Sequence, residues 1–101
     1  MSLSLMASIW PLPVSPPEKL ALLRLADGAD DDGRAFPCLD RLALEAGGDA
    51  RTITGTLRRL ERRDLVQPIT DARRGAGYRL NRDAIAELAA APLDPKGGQA
   101  A

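Results

Sequence analysis

The sequence predicts a small α+β domain in which helices come first, a hairpin follows and a further helix closes the fold. Three observations predict it. A capped amphipathic run begins at Ser15, and two short helical patterns meet at Gly47-Gly48. Two β-type runs, Leu65-Val66 to Ile69 and Tyr78-Arg79-Leu80, then flank the glycine- and arginine-rich loop TDARRGAG. A length of 101 residues suits one such domain with a modest core.

Residues 1–14 form an uncharged apolar leader, MSLSLMASIWPLPV. It lacks the basic start of an export signal, and Pro11 and Pro13 interrupt it. It is also shorter than the roughly 20 apolar residues of a membrane-spanning helix. The expectation is a soluble, cytoplasmic protein with no membrane partner. Residues 15–91 are the predicted domain. Ser15 can cap a helix, Pro16 suits its first position and Glu18 completes a capping box. Leu20, Leu23 and Ala26 recur on one face of this helix, with Leu22 and Leu25 widening it.

Asp27 to Gly33, DGADDDG, ends that helix as a loop. A calcium-binding loop would need an acid where Gly28 stands and a glutamate where Leu39 stands, so a solvated turn is the better reading. Arg34-Ala35-Phe36 reads as a short strand before Pro37. Leu39 to Ala46 reads as a short helix with Leu39, Leu42 and Ala43 inward. Gly47-Gly48 breaks it, and Asp49 caps the next helix, from Ala50 to about Arg63. Two short helices joined by a glycine-bearing turn are a helix-turn-helix candidate. Asn81 can cap a last helix, Arg82 to Ala91, stopped before Pro92, and residues 92–101 read as a disordered tail.

The chemistry that the chain excludes is plain. It has no histidine, and Cys38 is its one cysteine, so no disulfide and no His/Cys metal set can be assembled. Gly75-Ala76-Gly77 lacks phosphate-loop spacing. No catalytic residues, cofactor, metal or small-molecule ligand is expected. Cys38 reads as a small buried side chain near a helix start, with a redox role the weaker alternative. Net charge is zero but unevenly spread. Residues 18–48 hold four basic and seven acidic side chains; residues 49–82 hold nine arginines against four acids.

The run LAD...DDG..FP...RLA...G...RT...LRRLE...LV, followed by GYRL, resembles the winged helix-turn-helix domains of phage, prophage and plasmid proteins. The resemblance covers about Trp10 to Leu80. Some members are small regulators; others are the N-terminal DNA-binding parts of replication proteins. It implies a three-helix core, a small β-wing and here an added C-terminal helix. Two departures stand out. The family usually has serine where Cys38 stands, as a helix cap, and glycine where Asp64 stands, at the left-handed turn after the recognition helix.

Around the helix from Asp49 to Arg63, Ile53, Leu57 and Leu60 cluster on one face at about 100° per residue. Opposite them lie Arg51, Gly55, Arg58 and Arg62, flanked by Thr52, Arg59 and Thr54. Gly55 costs this helix about 1 kcal/mol relative to alanine. A missing side chain at the centre of a basic stripe would let the backbone approach a DNA groove. A tolerated defect is the plainer alternative.

In helix-turn-helix proteins the start of the second helix reads bases in the major groove. Arg51, Thr52, Thr54, Gly55 and Arg58 are the expected base-contacting set, with Arg51 and Arg58 suited to guanine. Arg59, Arg62, Arg63, Arg73 and Arg74 are expected on phosphates. The plainer reading is a solvated arginine face, with Glu61 pairing Arg58 and Arg73-Arg74 in a flexible loop. The resemblance implies sequence-specific binding of double-stranded DNA by a small transcriptional regulator. The alternatives are origin binding, for which a helicase-recruiting part has no room in 101 residues, and a protein-docking module. Apolar Leu3, Leu5, Met6, Ile9 and Trp10, with Ile85, Leu88 and Ala89 on the last helix, suggest a homodimer on adjacent half-sites, with folding back over the domain's own core the plainer alternative.

Overall fold

The capping box at Ser15 forms as the sequence spells it. Ser15 Oγ accepts from the Glu18 N–H at 3.4 Å, while Glu18 Oε1 accepts from the Ser15 N–H at 3.0 Å and its hydroxyl at 2.7 Å. This computed structural model describes residues 3–46 and 48–90. Gly47, Ala91 and the predicted tail 92–101 lie outside the described residues. The architecture is α+β: α1 (Leu3–Ile9), α2 (Pro16–Asp27), β1 (Arg34–Ala35), α3 (Leu39–Glu45), α4 (Ala50–Arg62), β2 (Val66–Asp71), β3 (Gly75–Leu80) and α5 (Arg82–Ala90). The strands form one antiparallel sheet in the order β1-β3-β2. No described helix is long and apolar enough to cross a membrane.

The leader is part of the domain. Residues 3–9 are helical, and Leu5, Ile9, Leu12 and Val14 are buried in the same core as α2, α4 and Ile85 of α5. The apolar surface expected to await a second copy is therefore largely consumed inside the monomer; Leu3 and Trp10 stay exposed. A domain of this size gains most by burying every apolar segment it has.

Two inward assignments need correction. Leu20 is 46% exposed, because the inward arc of α2 centres on Leu22 and Leu25, to which α1 and α4 both pack. Leu20 lies roughly 160° from Leu22 at about 100° per residue. Leu39 shares the face of Leu42 and Ala43 but is 40% exposed, since the first turn of α3 projects beyond the core. Cys38 is also exposed, not buried. It stands at the N-cap of α3 and makes no side-chain cap bond, as expected of a thiol in place of a hydroxyl.

α4 begins on Asp49, whose Oδ1 accepts from the Thr52 N–H at 2.8 Å. It ends in a Schellman motif: Leu65 N–H donates to Leu60 O and Asp64 N–H to Glu61 O, with Asp64 at φ 60°. Asn81 offsets the absent glycine, its Nδ2 donating to Asp64 O and Oδ2 while its Oδ1 caps α5 at Ala84 N–H. The hairpin is tighter than the eight-residue loop expected. Strands run to Asp71 and from Gly75, because Asp71 Oδ1 accepts from the N–H groups of Arg73 and Arg74 and Gly75 adopts φ +79°.

Glu18 ties α2 to the far end of α4. Its carboxylate is buried and lies 3.9 Å from Arg63 Nη1. Burial alone would raise its pKa, but the Ser15 hydroxyl and N–H, then Arg63 and Arg59, outweigh that and hold it below the ordinary value. A depressed folded pKa gives stability that is present above the ordinary glutamate value and is lost as pH falls from there through the lower folded one. Thermal stability should therefore begin to drop below about pH 4.5, and Glu18→Gln should remove the early part of that drop. Ser15→Ala should cost about 1 kcal/mol at neutral pH by denaturant titration.

Candidate nucleic-acid interface

α4 divides into two faces. Ile53, Thr56, Leu57 and Leu60 are buried, while Arg51, Thr52, Arg58, Arg59 and Arg62 are exposed. Gly55 lies on the outer face: a Cβ built there would meet only Arg59 Nη1, at 3.8 Å, and no core atom. Its outward side is open, and Arg51, Arg58 and Arg62 share that face.

The predicted cations fall into two groups. Arg51, Arg58, Arg62 and Arg73 make no ion pair among the described residues, so the alternative Arg58–Glu61 pairing is not formed. The others are already engaged. Arg59 Nη2 donates to Thr56 Oγ1 at 3.1 Å, and Arg63 faces Glu18. Arg74 lies 4.1 Å over the Phe36 ring and 3.3 Å from Asp30 Oδ2.

The threonines are committed locally. Thr54 Oγ1 donates to Ala50 O at 2.8 Å, leaving its methyl group and lone pairs for an outside partner. The Thr52 N–H, with its hydroxyl, holds the Asp49 carboxyl below its usual range. Asp71 is likewise depressed by the Arg74 and Arg73 N–H groups, so the acid that shapes the hairpin turn stays ionised.

Tyr78 joins this surface without having stood out in the sequence. β3 places it on the same sheet face as Leu80, opposite Pro68. Burial, then Glu61, raise its pKa, while Arg58 acts the other way. With Pro37, Leu39 and Pro68 it lines a cleft of about 300 Å³ between the start of α3 and the hairpin. The two-residue period of GYRL carries the signal, since it puts Tyr78 and Leu80 on one face.

Among the described residues no group of three or more His, Cys, Asp or Glu side chains is placed to hold a metal ion. Comparison with family models, with curated proteins and with solved structures finds no match for this chain.

Proposed function

We propose that this chain is a winged helix-turn-helix protein that binds double-stranded DNA sequence-specifically, as a small transcriptional regulator of a phage or mobile element in the cytoplasm. α3 and α4 are the helix pair, α4 the recognition helix and β2–β3 the wing. The observation that carries the reading is the outer face of α4, where Arg51, Arg58 and Arg62, unpaired among the described residues, surround an open glycine. Guanidinium groups held free of internal partners suit guanine edges and phosphates. The acids of the chain do not quench this face, although they balance its charge in sum. Origin binding uses the same face; genomic context separates the two.

Selection from a random duplex pool followed by gel-shift titration tests the proposal. Arg51→Ala and Arg58→Ala should each cost about 1–3 kcal/mol on the selected site and relax preference at one base pair. Equal losses on selected and random DNA would reduce both to phosphate contacts. Log affinity should fall against log salt by about 0.9 per phosphate met. A salt-insensitive interaction would point to protein docking instead.

A homodimer on adjacent half-sites is part of the proposal, with Leu3 and Trp10, 71% and 61% exposed, as its apolar contacts. Mass in solution at micromolar concentration should fall from dimer to monomer on Leu3→Glu, Trp10→Glu. A wild-type monomer that still shifts DNA would discard the dimer alone.

A further inference from the structure

Asp30 divides its two carboxylate oxygens between two tasks. Oδ1 accepts from the N–H groups of Asp32 and Arg34, at 2.9 and 3.0 Å, and so shapes the acidic loop. Oδ2 faces two guanidinium groups, 3.3 Å from Arg74 Nη2 and 3.4 Å from the buried Arg34 Nε. Arg74 comes from the hairpin turn, 44 residues further along the chain, and its guanidinium lies over the Phe36 ring. Arg73, beside it on the same turn, has no such partner among the described residues.

A guanidinium over an aromatic ring and facing a carboxylate is an arrangement that would receive a phosphate, since both anions offer oxygens to the same donor fork. We propose that Asp30 occupies the phosphate position at Arg74 in the free protein. The hairpin then meets DNA through Arg73 alone, and Asp30 sets a ceiling on affinity for any duplex. This rests on the DNA-binding reading above. The contact is an exposed one, so its competition is modest and removable.

Asp30→Asn tests it cleanly, because the amide oxygen can keep both backbone bonds of the loop while the charge at Oδ2 is lost. On a random-sequence duplex at low salt, Asp30→Asn should bind about three- to tenfold more tightly than wild type. Arg74→Ala should cost wild type less than about twofold, yet cancel the gain in the Asp30→Asn background. Asp31→Asn, which removes the same charge from the same loop without touching Arg74, should change affinity by less than about twofold. Thermal melting of each variant checks the fold. An equal gain from Asp31→Asn overturns the inference, as does a gain that survives Arg74→Ala. Should Asp30→Asn unfold, the Arg74→Ala and Arg73→Ala single variants decide, and equal losses from both overturn it. Failure of every protein to bind, wild type included, overturns the DNA-binding reading and this inference together; binding by all with equal affinity overturns this inference alone.

Discussion

Gly55→Leu is expected to leave the fold intact and reduce DNA binding by about a hundredfold or more, the loss of two good bidentate contacts. A Cβ at Gly55 would meet only the far end of Arg59, so a side chain starts there into open space and not against the core. Against a groove it would hold the α4 backbone away by the depth of the side chain. Arg51 and Arg58 would then lose their reach together, because both sit on the same face. Gly55→Ala should do the reverse for stability, adding up to about 1 kcal/mol of helix propensity. Circular dichroism melts and gel shifts on the same preparations separate the two effects. Full binding by a folded leucine variant would remove α4 from the interface.

Gly77→Ala is expected to act in the opposite direction on stability, costing roughly 2–3 kcal/mol, an overpacking penalty. A Cβ at Gly77 would lie 2.5 Å from Ala35 O and 2.5 Å from the Phe36 ring. One neighbour is backbone, which cannot swing aside, and the other is the ring that lies under Arg74. The added methyl group must part β1 from β3, where Ala35 pairs with Tyr78. For a domain of this size the melting midpoint should fall by about 10–20 °C. An unchanged midpoint would mean that β1 is not held against β3 in solution. The same substitution, glycine to alanine, thus reports opposite signs at two positions, which tests the placement of both.

Local chemistry makes much of this fold legible in the amino-acid sequence. Ser15 with Glu18, Asp49 and Asn81 start their helices where short-range hydrogen bonding says they should, because a cap needs only residues within a turn of itself. The two faces of α4 are legible for a similar reason: helical periodicity alone separates Ile53, Leu57 and Leu60 from Arg51, Gly55 and Arg58. The left-handed turn at Asp64, φ 60°, is implied by the family resemblance alone, and its support by Asn81 is not legible at all.

Tertiary structure decided which of several apolar or charged neighbours was used. Leu20 and Leu22 are equally apolar, and only the arrival of α1 and α4 on one side of α2 buries the second and exposes the first. The uncharged leader reads as spare material until α1 and α5 are seen to close over the same core. Arg73 and Arg74 are identical side by side in sequence, yet only Arg74 meets Asp30 and Phe36, because strand register and the hairpin turn bring them together across 44 residues. By itself the sequence determined the caps at Ser15, Asp49 and Asn81, the two faces of α4 and the location of the basic stripe, all set by interactions within a few residues. Which arginines stand free to meet a partner depended on contacts between distant segments, and those are set only when the elements pack.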